Sequence, residues 1–261
     1  MTQEIINKIK ANLEYQKQFG ELVFIDKQFK INDEEVSLKK QINPEIREKE
    51  ISYNSKINNS DKVSIDLDWQ KSNSLPELNS KIHNCLECPL GETRKSFVFG
   101  SGNPNSKILI IGEAPGADED EQGLPFIGRA GQLLTKIIEA INFNRDDLYI
   151  ANIIKCRPPG NRRPTSNEVE KCEPYLKKQI EIINPEFILA LGLTAVNTLL
   201  KGDFKMKDVR GKVLEYEGKK LLITYHPAAL LRNPSWKKQT WEDVKILRSM
   251  YDEYMEKNNG I

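Results

Sequence analysis

The feature that most restricts the fold is an alternation that begins after residue 75. Short apolar runs bounded by small or turn-forming residues are separated by stretches with helical spacing. Residues 107–111, Lys-Ile-Leu-Ile-Ile, form one such run and end at Gly112. Residues 148–154 form a second and residues 187–191 a third. Unbroken apolar runs of this length suit strands buried on both faces, the pattern of a parallel sheet. Between them, residues 129–142 place Leu133, Leu134, Ile137, Ile138 and Ile141 on one helical face. Thr165 with Glu168 makes a capping box for a helix running to about 183. A further helix over 194–200, a strand pair at 213–216 and 221–224 around Glu217-Gly218, and a closing amphipathic helix over 236–257 complete the pattern. Such alternation predicts an α/β fold of three layers, α/β/α, with a mainly parallel central sheet. Ligands of these sheets bind beyond the carboxyl ends of the strands. A site is therefore expected in the loops after Ile111, Ile154, Leu191 and Thr224.

Residues 1–74 differ in character and read as an N-terminal extension to a domain over 75–261. They are rich in Lys, Glu, Asn, Ile and Ser, with Pro44 and Gly20 as their only proline and glycine and no cysteine. Residues 2–19 suit a helix capped by Thr2, with Ile5, Ile6, Ile9 and Leu13 on one face. Residues 21–30, with Val23, Ile25 and Phe29, suit a short strand or a docking segment, and 39–74 reads as a flexible linker. The extension is either a tethered arm, whose partner the sequence does not identify, or a dispensable tail.

With 39 basic against 38 acidic residues the net charge is +1, so any nucleic-acid binding must rest on a local patch. No apolar stretch approaches the roughly 18–20 residues of a membrane span. The N-terminus lacks a basic segment followed by an apolar core, unlike a secretory signal. The expectation is a soluble, cytoplasmic chain with no membrane partner, acting as a monomer. In that compartment four cysteines point to metal binding rather than disulfides.

The cysteines are Cys85 and Cys88 in a C-x-x-C before the first strand, Cys156 after the second strand, and Cys172 in the capped helix. They flank one end of the sheet and could converge on a four-thiolate site, which suits zinc or a [4Fe–4S] cluster. Spacing alone does not choose between the metals, and four unrelated buried cysteines are the alternative. His83, close by, is expected to cap or pack against the C-x-x-C turn rather than to bind metal.

Three loops carry unusual residues. The first contains Gly112-Glu-Ala-Pro-Gly116, the acidic run Ala117-Asp-Glu-Asp120 and Gly123-Leu-Pro-Phe-Ile-Gly-Arg-Ala-Gly131. Its small residues let backbone approach a ligand closely, and Phe126 could offer a ring face to a flat base. The second holds Asn152, with both a donor and an acceptor for a base edge, and the basic residues Lys155, Arg157, Arg162 and Arg163. The third is Tyr225-His-Pro-Ala-Ala-Leu-Leu-Arg-Asn-Pro234. There His226, fixed before a proline, can donate to a ligand oxygen. Leu230, Leu231 and Arg232 supply two apolar wedges and a cation for a base stack, although a Leu-Leu pair is more often core.

Taken together and in this order, these loops and the cysteines resemble family 4 of the uracil-DNA glycosylase superfamily, the iron–sulfur type. The resemblance covers about 78–254 and includes Pro125-Phe-Ile-Gly-Arg-Ala-Gly-Gln-Leu-Leu134, Asn152-Ile-Ile-Lys-Cys-Arg-Pro-Pro159 and His226-Pro-Ala-Ala-Leu-Leu-Arg-Asn-Pro234. It implies a [4Fe–4S] cluster on Cys85, Cys88, Cys156 and Cys172. It also implies a uracil pocket of Glu113, Ala114, Pro115, Phe126, Asn152 and His226, and uracil-containing DNA, single- or double-stranded, as partner. In that picture deoxyuridine is flipped out, Phe126 stacks on the base, Asn152 reads its O4 and N3 edge, and His226 donates to O2 as charge develops there. Arg157, Arg162, Arg163, Leu230, Leu231 and Arg232 would meet the DNA. The carboxylate that serves the sugar and water is Glu113, held by Asn161, or alternatively Glu119. Ala114 stands where the superfamily's best-known branch has Asp. The loop 157–164 has no His, unlike a variant that crosslinks to DNA, and Ala229 replaces a bulkier residue of many members. A non-catalytic iron–sulfur DNA-binding or polymerase-associated module is the competing reading.

Overall fold

A computed structural model describes residues 68–258. The expectations for a helix at 2–19, a strand or docking segment at 21–30 and most of the linker lie outside the described residues. The compact unit begins at Trp69, somewhat before Leu75. A 3-10 turn over Asp68–Lys71 sets Trp69 edge-on against Tyr175, with ring centroids 4.9 Å apart, and Ser72 is fully buried. The last residues of the expected linker therefore pack with the domain.

Six strands form one sheet: β1 (Ser101–Gly102), β2 (Ile108–Gly112), β3 (Tyr149–Asn152), β4 (Phe187–Leu191), β5 (Val213–Tyr216) and β6 (Lys219–Thr224). Their spatial order is β1-β3-β2-β4-β6-β5. The four central strands run parallel, and the two edge strands, β1 and β5, run antiparallel to their neighbours. Alternate residues of each strand serve opposite faces, as the pleat requires. Leu109, Ile111, Ile188, Ala190, Leu221 and Ile223 belong to one core with α1 (Leu75–Ile82), α5 (Ser166–Ile183) and α6 (Leu193–Leu199). Ile108, Ile110, Phe187, Leu189, Leu191 and Leu222 belong to a second core with α4 (Arg129–Ala140) and α9 (Lys237–Asn258). The architecture is thus the expected three-layer α/β/α with a mainly parallel sheet.

Long periodic elements fall within a residue or two of their sequence-predicted limits. Short elements were invisible as patterns: α2 (Leu90–Thr93), α3 (Ala117–Gln122), α7 (Met206–Val209) and α8 (Pro227–Arg232). The acidic run 117–120 begins α3, with Glu119 and Asp120 buried. Asp120 accepts hydrogen bonds from the amides of Lys95 and Ser96, and Glu119 is held as described below. Among the described residues no helix is long and apolar enough to cross a membrane.

From β2 the chain goes to β3 on one side, then returns past β2 to β4 on the other. A crevice opens at such a reversal, beyond the carboxyl ends of the strands. The site lies there.

Candidate active site

A cavity of about 710 Å³ opens at this edge, within the range of small-molecule sites. Glu113, Ala114, Pro115, Glu119, Phe126, Asn152, Asn161, Arg162, Arg163, His226 and Arg232 all line it. Arg157, Leu230 and Leu231 do not.

Phe126 and His226 face each other across this space, ring centroids 5.5 Å apart and tilted by 35°. Phe126 adopts a left-handed backbone, φ +52°, an uncommon state for an aromatic residue that structure must enforce. Three contacts enforce it. The Glu119 carboxylate accepts from the amides of Ile127 and Gly128, both at 2.9 Å, and from that of Gly116 at 3.0 Å. A Cβ on Gly131 would overlap the carbonyl of Phe126, and one on Gly112 would overlap the Phe126 ring and Asn152 Oδ1. Both glycines are therefore demanded by close approach.

Asn152, the last residue of β3, is almost completely buried. Its Oδ1 has no hydrogen-bond partner. An orphaned buried acceptor is costly and calls for an explanation; here it lines a cavity that a ligand could fill. Glu113 is half-buried, and among the described residues its carboxylate makes no hydrogen bond or ion pair. The expected Glu113–Asn161 contact is not formed: Asn161 Oδ1 accepts instead from Arg157 Nε at 2.7 Å. Both groups still line the same cavity.

His226 precedes α8, and its Nδ1 accepts the amide of Ala228 at 3.1 Å. An accepting Nδ1 places the proton on Nε2 and makes the neutral ring a donor. Burial, reinforced by the Arg232 charge, lowers its pKa from 6.5 to about 4, so the ring stays neutral near pH 7.

The basic residues divide. Arg162 is committed to a two-pronged pair with Glu168, at 2.8 and 2.6 Å. That bond, with the Thr165 cap, holds the Glu168 carboxyl down near 2 against the opposing cost of burial. Arg163 and Arg232 carry no such commitment. The two leucines divide as well. Leu230 is fully buried in the domain, while Leu231 is 39% exposed. The expectation of two wedges is corrected to one, because a residue with no surface cannot enter a base stack without unpacking. The sequence reading missed Met206, Tyr225 and Trp236, which also line the cavity. Tyr225 and Trp236 stack with centroids 4.6 Å apart; an aromatic directly before His226 was the available signal.

The four cysteines lie on the other side of Asn152. Cys85 and Cys88 sit between α1 and α2, Cys156 follows β3, and Cys172 is on α5. All are free thiols. Their sulfurs receive hydrogen bonds: Cys156 from Arg94 at 3.4 Å, Cys172 from the Lys155 amide at 3.3 Å, and Cys85 from the Tyr175 hydroxyl at 3.3 Å. Burial pushes the Cys156 thiol up to about 11, opposed by Arg94 and reinforced by Cys88 and Cys85. Burial pushes Cys172 to about 12, opposed by Lys155 and reinforced by Cys156 and Cys85. The cysteines are thus electrostatic neighbours. Among the described residues, no three Cys, His, Asp or Glu side chains group tightly enough to share one metal ion. Four soft thiol donors with N–H and O–H groups aimed at the sulfurs fit a multi-iron sulfide group. His83 caps α1 rather than the C-x-x-C turn, with Nδ1 at 2.9 Å from the Ser80 carbonyl.

Fold and site define a class: an α/β protein with a partly apolar pocket at a topological reversal and a group of four cysteines before and after the neighbouring strands. The sequence profile of the uracil DNA glycosylase superfamily matches residues 99–247. A type-4 uracil-DNA glycosylase of Pyrobaculum aerophilum is 45% identical over 182 residues, 66% of this chain and 92% of that protein. One of Thermotoga maritima is 42% identical over 176 residues, again 66% and 92%. A DNA polymerase of Bacillus phage SP01 is 32% identical over 172 residues, 64% of this chain but 18% of the polymerase. The chain belongs to the uracil-DNA glycosylase superfamily, in its type-4 branch.

Proposed function

We infer that this protein excises uracil from DNA, hydrolysing the N-glycosidic bond of a flipped deoxyuridine and leaving an abasic site. The observation that carries the reading is the facing set of a neutral Nε2–H donor on His226, the Phe126 ring and the orphaned Oδ1 of Asn152. Phe126 stacks on the extruded base, and the Asn152 amide pairs with its N3 and O4 edge. The C1′–N1 bond breaks with its electron pair moving onto uracil. Charge gathers at O2, where the His226 donor strengthens its bond in the transition state. The sugar becomes oxocarbenium-like, as in glycoside cleavage. Glu113, with no other partner, stabilises that cation and orients the water that adds to C1′. Glu119 is the weaker candidate for this role, because three backbone amides already occupy its carboxylate. Asn161 sits at the cavity wall and orders the Arg157 loop. Arg163 and Arg232 meet phosphates, Arg157 and Arg162 shape their loop, and Leu231 fills the gap left in the stack.

Cys85, Cys88, Cys156 and Cys172 would hold a [4Fe–4S] cluster. Four thiolates would also suit zinc; the cluster is preferred because the order of the motifs and cysteines resembles the iron–sulfur type of the superfamily. When bound, the cluster supplies a structural tie between the segment before the sheet and the loop after β3; no step of the hydrolysis needs it. A DNA-repair role supports a cytoplasmic location. The residues before Trp69 are proposed as an appended arm.

A uracil-containing oligonucleotide incubated with the protein and then treated with alkali should be cut at the uracil position; intact strands would sink the enzyme reading. The similarity to a segment of a phage polymerase favours, as second reading, a non-catalytic polymerase-associated module, which the same assay excludes on strand cutting. Anaerobically purified protein should be coloured and contain iron, and Cys172→Ser should lose both. Zinc in place of iron would refute the cluster.

A further inference from the structure

Lys155 has no exposed surface at all. Its ammonium donates to the carbonyl of Asn152 at 2.8 Å and to Gln179 Oε1 at 2.5 Å. Gln179, equally buried, passes the link on by donating from Nε2 to the carbonyl of Phe99 at 2.9 Å. The reason for a donor here lies in the sheet. β1 is two residues long and pairs with β3 only at Tyr149 and Ile150, and the next backbone bond along that edge runs from the Val98 amide to the Lys155 carbonyl. The Ile153 amide points toward Gly112 of β2, which leaves the Asn152 carbonyl on the outer side, between those two bonds. A buried carbonyl without a partner is costly, and the Lys155 side chain supplies the partner where the ladder lapses.

A neutral donor would meet that need. A full charge without solvent also needs an opposing charge nearby. Among the described residues no carboxylate pairs with Lys155. Its other neighbours are the sulfurs: the Lys155 amide donates to Cys172 Sγ, and Cys156 is the next residue in the chain. Gln179 lies on α5 two turns from Cys172, so the ammonium joins the cysteine-bearing helix to the strand end that presents Asn152.

We propose that Lys155 is a positioning residue: its side chain, bonded to the Asn152 carbonyl and to Gln179, clamps the end of β3 and so fixes the Asn152 amide against the uracil edge. The cysteine-bearing helix then acts on base recognition through one buried side chain, without touching DNA. The proposal rests on the reading of Asn152 as the group that pairs with the base.

The test uses full-length, iron-loaded protein carrying Lys155→Met, which keeps the length of the side chain and removes charge and donors. Inhibition by free uracil, KM and kcat on a uracil oligonucleotide, and iron content are measured together. Iron should stay at the level of the parent, uracil inhibition should weaken at least tenfold, and KM should rise more than kcat falls. Gln179→Leu should show part of this loss, and Gln179→Glu, which keeps an acceptor for the ammonium, should restore most of it. Asn152→Ala separates the two layers of inference. If it loses uracil inhibition while Lys155→Met keeps it, the positioning role is overturned and the function stands. If Asn152→Ala also keeps it, the base-reading role falls and this proposal with it. Iron lost in step with uracil binding overturns the proposal too, since Lys155 would then serve the thiols alone. Should Lys155→Met fail to fold, unchanged uracil inhibition in Gln179→Leu overturns the positioning role equally.

Discussion

The pocket and the thiol corner lie on opposite sides of Asn152 and are built by opposite rules. In the pocket, polar groups are left unsatisfied: Asn152 Oδ1 has no partner, the Glu113 carboxylate is free among the described residues, and Phe126 is held in a strained backbone state. In the thiol corner the sulfurs of Cys85, Cys156 and Cys172 already receive hydrogen bonds, from Tyr175, Arg94 and Lys155. Unmet hydrogen-bonding capacity is where a transient ligand can repay its own desolvation. Donors converging on sulfur stabilise negative charge that stays in place. On the proposed reading, the first region receives and releases a ligand and the second holds one.

The sharpest way to break this contrast is His226→Ala, which removes the donor aimed at developing charge. A loss of about 10²–10³-fold in kcat is expected, the usual scale for one such donor, and measured single-turnover rates near the parent's would remove His226 from the chemistry. Next come the two glutamates. Glu113→Gln should lower kcat about 10²-fold with little change in melting temperature, on the scale of acid–base help. Glu119→Gln should instead lower stability by about 1–3 kcal/mol, because an NH₂ group would face backbone amides that now donate to oxygen. Calorimetry and kinetics on the pair separate the roles; the reverse pattern would exchange them.

The pH dependence sharpens the same comparison. His226 titrates near 4 in the folded protein against an ordinary 6.5. The acid limb of kcat/KM set by this group should therefore fall near 4, while an unperturbed imidazole would bend the profile near 6.5. Protonation would put the ring's second hydrogen on Nδ1, facing the Ala228 amide, and break that contact. For stability the sign follows from the unfolded chain, which takes up the proton at about 6.5 while the native ring stays neutral. The contribution is fully present above 6.5 and is lost as pH falls from 6.5 toward 4, readable in melts across that window. The smallest effect on catalysis belongs to Leu231→Ala, a modest loss on duplex substrate and almost none on single strands, as for an apolar wedge. Leu230→Ala should cost about 2–5 kcal/mol of stability on any substrate, as a core truncation does.

Much of this was legible along the chain. The strands 187–191 and 213–216 and the capped helix after Thr165 match the structure closely, because apolar period and capping chemistry are local signals that the backbone obeys directly. The pocket residues were legible as motifs. Their division of labour was not. Leu230 and Leu231 are the same residue type side by side, and only the turn of α8 sends one into the core and the other to the surface. Glu113 and Glu119 are both acidic and both near the first strand, and only the fold of the Phe126 loop onto α3 occupies one carboxylate and frees the other.

By itself, then, the sequence determined the layered α/β architecture, the family, and which residue types gather at the strand ends, since strand period, caps and motif order are written in neighbouring residues. The tertiary structure alone decided which acceptor is left unpaired, which proton His226 carries, and which buried side chain joins the cysteine-bearing helix to the pocket. Those depend on burial and on partners brought together from remote segments, such as Lys155 with Gln179, and no local pattern encodes them.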